Sequence, residues 1–233
     1  FRILIILWAM YITGYSRWAN AQTIETLSEL SVEELMQMTV TAQRREQTWA
    51  QVPASLSIFS EQQLDEQRIF NLNQLAAATP GYIFGRVGNV AASYIRGIGS
   101  SLTSISADSS SAVYQDDVYL SRPEMTLGYF WDIQRIEVLK GPQGALYGRN
   151  ATGGMINLVH NQAQFDQFSG HLSGALGSFN ERQFEAVTNI PLGELWAMRA
   201  SMFALEDDGV THNINPTANN EIDDQHASGA RVQ

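Results

Sequence analysis

The rhythm of apolar and polar positions changes three times along this chain, and each change predicts a different kind of element. Residues 3–13, ILIILWAMYIT, are an unbroken apolar run. At roughly 11 residues it is short of the roughly 20 needed to span a bilayer as a helix. Ala19-Asn20-Ala21, a small-x-small site, follows with Gln22 behind it. That order predicts a signal peptide over 1–21 and export, with a mature start near Gln22. The chain opens on Phe1 and keeps only Arg2 of a basic leader, so the true N-terminus is expected to lie upstream. Residues 22–48 are polar and are expected to be flexible. Within them Ser31 and Glu34 have capping-box spacing for a short helix through Glu33–Met36. The segment MTVTA at 38–42 is β-prone. It is suited either to adding to the edge of a partner's sheet or to an ordinary linker.

From Trp49 to His160 the pattern is that of a small α+β unit. VPASLSIF has Leu56 and Ile58 alternating with serines, as in a half-buried strand. Ser60 with Gln63 starts one helix carrying Leu64; Asn71 starts another through Leu72, Leu75 and Ala76, which Thr79-Pro80-Gly81 ends. Short strands then follow at 93–100, at 112–120 around an Asp116-Asp117 turn, and at 133–141. Between them 86–93, 101–111 and 121–128 read as polar, Ser-rich outward loops. No residue in these loops points to a particular ligand.

Beyond His160, over 161–233, segments at 168–178, 183–190 and 196–204 each alternate apolar with polar positions. One face carries Phe168, Leu172 and Leu176, then Phe184, Ala186 and Ile190, then Trp196, Met198, Ala200 and Met202. The opposite face carries Glu185, Asn189, Arg199 and Ser201. Transmembrane β-strands need that alternation, with one face in lipid and the other in a wet lumen; a soluble β-sandwich alternates in the same way. A tight turn at 191–194 and a long acidic loop at 206–224 match the short and long ends of an outer-membrane barrel. The residues after His160 are expected to give three such strands and the start of a fourth.

Composition narrows the function by exclusion. The net charge of −10, with no Lys/Arg run, disfavours nucleic acid, whose phosphates require clustered cations. With no Cys, thiolate metal sites and thiol nucleophiles are out. Gly148 and Gly153 have P-loop spacing, but Gly154 and Met155 stand where Lys and Ser/Thr are needed. The four His residues are scattered, with no metal-ligand pair. Adjacent Asp116 and Asp117 diverge too far for paired acid/base work. No enzyme and no cofactor is expected.

The stretch 132–159, DIQRIEVLKGPQGALYGRNATGGMINLV, closely resembles the most characteristic segment of the plug domain of TonB-dependent outer-membrane receptors. YIRGIGS at 94–100 and VYQDDVYL at 113–120 resemble that family's other plug strands in order and spacing, and MTVTAQRREQ at 38–47 resembles its TonB-box region. The resemblance covers about residues 31–210. It implies an α+β plug over 49–160, a small mixed sheet with short helices, followed by the first antiparallel strands of a transmembrane β-barrel. It implies Met38, Thr39, Val40, Thr41 and Ala42 as a TonB box that pairs with TonB, and the outer membrane as the location. The cargo it implies is a small molecule, a ferric siderophore first and cobalamin, a metal or a glycan as alternatives. Arg135 and Glu137 fall on the family's RIEV-type segment, Lys140 replaces its commoner Arg, and Asp117 stands where many members carry Gly. Arg96, Arg135, Glu137 and Arg149 are candidates for pairing plug to barrel, since desolvated charges need partners; bridges inside the plug are the equal alternative. The roughly 25 residues between Gln22 and Trp49 are too few for a separate signalling domain. A soluble periplasmic binding module is the reading of a different class.

Overall fold

The computed structural model describes residues 39–40, 47–48, 55–87, 90–99, 109–148, 150–209, 211 and 224–233. The expected signal peptide, the helix through Glu33–Met36, the residues Met38, Thr41 and Ala42, and Arg149 lie outside these. Of the expected TonB box, Thr39–Val40 forms β1 and pairs antiparallel with β2, Gln47–Thr48.

The next elements follow from local chemistry. β3, Ser55–Ser60, runs into α1, Glu61–Glu66. At their junction the Ser60 hydroxyl accepts the Gln63 N–H, and the Gln63 side chain accepts the Ser60 N–H. This is the expected capping box, which satisfies two backbone donors reciprocally. Asn71 caps α2, Leu72–Ala78, by accepting the Gln74 N–H at 2.9 Å, and α2 buries Leu72 and Leu75. β4 (Tyr82–Val87), β5 (Val90–Ile95) and β6 (Ile98–Gly99) form a three-stranded antiparallel sheet. Two expectations are corrected here. Residues 86–93 are largely hairpin strands rather than an outward loop, and 93–100 is two strands rather than one. The break falls at Arg96-Gly97, with φ of 53° and 79°, as a two-residue hairpin turn of the primed type requires.

β7 (Ser111–Gln115) and β8 (Val118–Tyr119) flank the expected turn at Asp116-Asp117, where φ is 47° and 65°. Asp tolerates this left-handed backbone, so no Gly is needed. Residues Pro123–Thr126 form a 3-10 turn inside the expected loop 121–128. β9 (Ile133–Lys140), the short α3 (Gly144–Tyr147) and β10 (Gly154–His160) complete a five-stranded sheet of order β3-β9-β10-β7-β8. β10 is parallel to β7, and the other pairs are antiparallel. Both faces of this sheet are covered. Ile136, Val138 and Ile156 join Leu64, Leu72, Leu75 and Ile95 on one side; Leu139 and Met155 join Tyr114, Tyr147 and Ala151 on the other.

β11 (Ser169–Leu176), β12 (Arg182–Pro191), β13 (Ala197–Asp207) and β14 (Gln225–Val232) form a separate antiparallel sheet in chain order. The fourth strand runs a full eight residues, more than the expected start. Phe168, Leu172, Leu176, Phe184 and Met202 on the outer face are exposed. The inner face departs from the wet surface expected, since Val187, Asn189, Ser201, Phe203 and Leu205 are buried. These positions are covered by the segments that flank β9 and β10: Trp131 stacks on Phe203 and donates to Ser201, and the chain at Gln164 and Gln167 meets Asn189.

Candidate functional site

The register of the five-stranded sheet collects three chain segments at one end. His160, the last residue of β10, lies opposite Ile133, the first of β9. Leu158 lies opposite Gln115, at the end of β7. Asp132, Asp116 and His160 therefore emerge together, facing β12, β13 and β14.

Asp132 is the hub of this junction. Its backbone is in the left-handed region, φ 54°, and this turns its N–H, C=O and carboxylate in different directions. The N–H donates to Glu185 of β12 at 3.1 Å, and the carbonyl accepts the Asn161 N–H at 3.0 Å. The carboxylate receives Arg199 of β13 from Nε, at 3.0 Å to Oδ2, and from Nη2, at 2.5 Å to Oδ1. Asn161 adds a further donor at 3.2 Å and also reaches Glu61 of α1 at the same distance. The two charged side chains are 1% and 11% exposed, so this pair is desolvated and doubly hydrogen-bonded. Burial raises the Glu61 carboxyl above its ordinary range, against the Asn161 hydrogen bond that lowers it.

Beside the hub, the Trp131 ring stacks on Phe203 of β13, with centroids 5.7 Å apart and planes 10° apart, and its Nε1 donates to Ser201 at 3.2 Å. Tyr129 packs on the same Phe203 and its hydroxyl donates to Gln225 of β14. Gly229 of β14 lies directly under the indole, where a Cβ would overlap the ring.

A second polar cluster stands alongside. Asp116 accepts the His160 N–H at 2.9 Å, its Oδ2 is 2.9 Å from His160 Nδ1, and Arg231 of β14 approaches at 3.4 Å. Partial burial alone would raise the Asp116 carboxyl; the His160 hydrogen bonds and the charges of His160 and Arg231 outweigh it and hold it below the usual range. Toward the other end of the four strands an open crevice of about 1560 Å³ separates the sheets, lined among others by Arg68, Asn71, Arg86, Tyr129, Asp207 and His226. Arg68 crosses its mouth to Glu181 at 2.7 Å, a largely exposed pair.

The charges expected at such a junction lie elsewhere among the described residues. Arg135 donates from Nε to Glu137 at 2.7 Å on its own strand. Arg96 sits in the β5–β6 turn, its guanidinium near Gly141, and its charge together with burial lowers the Lys140 ammonium, burial being the larger cause. The observed cross-sheet pairs at the junction have the opposite polarity: carboxylates Asp132 and Asp116 on the N-terminal unit, guanidinium groups Arg199 and Arg231 on the strands. Arg199 carried one visible signal, a cation within an otherwise alternating strand.

Residues 49–155 match the family described as the TonB-dependent receptor plug domain. Among solved structures, the chain resembles the ferric yersiniabactin uptake receptor FyuA from Yersinia pestis, with 24% identity and a TM-score of 0.68. That match covers 77% of this chain and 28% of that one. The siderophore receptor PiuA from Acinetobacter baumannii matches at 20% identity and a TM-score of 0.64, over 79% and 25% of the two chains. The pyoverdine outer membrane receptor FpvA from Pseudomonas aeruginosa PAO1 matches at 23% and 0.63, over 75% and 25%. This chain thus spans about a quarter of the length of the receptors it resembles. The fold they share is the one built above, an α+β unit followed by antiparallel strands, and the match to the TonB-dependent receptor plug-domain family lies on the first of these parts, residues 49–155.

Proposed function

We propose that this chain forms the coupling segment, the plug and the first wall strands of an outer-membrane receptor that imports a scarce substrate, a ferric siderophore first. The observation that carries this reading is the two-sidedness of β11–β14. On β12 and β13 the inner-face residues Val187, Asn189, Ser201 and Phe203 are buried, while Phe168, Leu172, Leu176 and Met202 stand exposed on the outer face, which suits a barrel wall in lipid. Support for the cargo comes from the similar receptors, named for ferric yersiniabactin and for pyoverdine. The crevice beside Arg68, Arg86 and Tyr129 opens toward the β13–β14 connection, the longest between these strands and so the side expected to face outward. It is the proposed approach to the ligand site.

In this reading the chain performs binding and gating without catalysis. Met38, Thr39, Val40, Thr41 and Ala42 are the proposed TonB box, joining TonB by strand addition. Arg96, Arg135, Glu137 and Arg149 remain candidates for contacts with wall strands outside this chain. The test is deletion of residues 38–42 in the complete receptor, followed by iron-limited growth on a panel of ferric siderophores and by ligand binding to whole cells. Binding is expected to persist and growth to be lost. Growth that survives the deletion rejects coupling through this segment.

A further inference from the structure

We infer that the β12–β13 turn, residues 191–196, is a lipid anchor: its apolar tip sits in the phospholipid leaflet on the short-turn side and fixes how deep β11–β14 lie in the membrane. The inference rests on the transport reading above, which makes these strands barrel wall, and adds where along them the membrane begins and ends.

Two features of the outer face carry it. The first is a polar border at one end. The register places Leu176, Arg182, Glu206 and His226 in one row across the four strands. Arg182, Glu206 and His226 are exposed there, and His226 lies 3.6 Å from Glu206. Between this row and the turn the outer face carries no charge among the described residues. It shows Phe184, Ala186, Thr188 and Ile190 on β12, and Met198, Ala200, Met202 and Ala204 on β13. The β11–β12 turn stands beyond the border and holds one exposed ring, Phe179, among Ser178, Asn180 and Glu181.

The second feature is the lack of such a border at the other end. Leu192, Leu195 and Trp196 are 62%, 83% and 74% exposed, and Glu194 is the one charged residue of the turn. The Leu192 N–H donates to the Trp196 carbonyl at 2.8 Å. This extends the β12–β13 pairing by one rung and keeps Leu192 and Trp196 on the same side as Ile190 and Met198. The apolar outer face therefore continues onto the turn itself.

Length settles where the turn falls. β12 has 10 residues, Arg182–Pro191. At about 3.3 Å per residue that is about 33 Å of strand. A tilt of about 40° leaves about 25 Å of height, the thickness of the apolar band of such a wall. With the charged row at one boundary, the turn lies at the other boundary and not in the water beyond it. Trp is favoured at that level, where its ring meets hydrocarbon and its N–H meets headgroups.

The sequence contains no Cys, so introduced thiols in this region are unique. The experiment places Leu195→Cys, Leu172→Cys or Ser178→Cys in the complete receptor, attaches a nitroxide and reconstitutes the protein in vesicles of phosphatidylethanolamine and phosphatidylglycerol. Leu192→Cys is a second site in the turn should Leu195→Cys impair folding. Collisions of the nitroxide with oxygen, which dissolves in lipid, are compared with those of a water-soluble nickel chelate. Oxygen is expected to dominate at Leu172 and Leu195, and nickel at Ser178. A Leu195 label dominated by nickel or shielded from both reagents, beside an oxygen-dominated Leu172 label, overturns the anchor and leaves the wall reading intact. An oxygen-dominated Ser178 label also overturns the anchor, because the band would then run past the charged row. A Leu172 label that oxygen does not dominate overturns the wall reading, and the anchor falls with it.

Discussion

At Asp132 one residue meets two demands that are usually met by two: a backbone corner and a buried counter-ion. Asp is among the few non-glycine residues that accept the left-handed backbone, and its short carboxylate stays close enough to the corner to receive Arg199. Asp132→Asn keeps the corner and removes the charge, leaving the Arg199 guanidinium buried without a counter-ion. The complete receptor in detergent is expected to lose about 3 kcal/mol of plug stability from that change. Adding Arg199→Gln should recover part of the loss. Thermal melts of both variants check this, and equal melting of Asp132→Asn and wild type contradicts it. Little of this site was legible in the sequence. Arg199 stood out in its strand, but its partner lies 67 positions away, and no local pattern joins the two. Arg135 and Glu137 were visible because they are two residues apart on one strand, and there they bridge each other.

Several elements whose determinants are local were read correctly. The Ser60–Gln63 capping box, the Asn71 cap and the Asp116-Asp117 turn each depend on a few consecutive residues, and each forms. The misread elements hide their signals. β10, GMINLVH, is buried on both faces, so it lacks the alternation that marks a half-exposed strand. The β5–β6 turn puts Arg96 in a conformation where Asn, Asp or Gly is the usual sign. The wall strands showed their alternation, yet buried Phe203 and Leu205 on the inner face reflect a plug that periodicity cannot register. At this scale Ser60→Ala tests the cap. It removes the acceptor for the Gln63 N–H and is expected to cost about 1 kcal/mol, read as a lower midpoint in a denaturant melt of the receptor; Ser60→Asp should retain most of the wild-type value.

For the molecule as a whole, the plug–wall junction is an electrostatic joint whose strength depends on pH. The Asp116 carboxyl is held below its ordinary range in the folded state. Its contribution is therefore complete above the unfolded carboxylate pKa and is lost as pH falls through the folded one. Wild-type receptor is expected to lose melting temperature on acidification through that window more steeply than Asp116→Asn, which has no such group to protonate; parallel curves refute the assignment. The arrangement of strands has a mechanical consequence as well. β3 runs from Ser55, opposite Lys140, to Ser60, opposite Arg135, and the seat at Asp132 lies beyond the Arg135 end. A tug arriving through the N-terminal segment pulls β3 lengthwise past a β9 held from the far side. Its rungs then share the load like a lap joint instead of parting singly like a zip. Such a joint resists small pulls and lets go all at once, which makes β3 and β9 a clutch with a threshold.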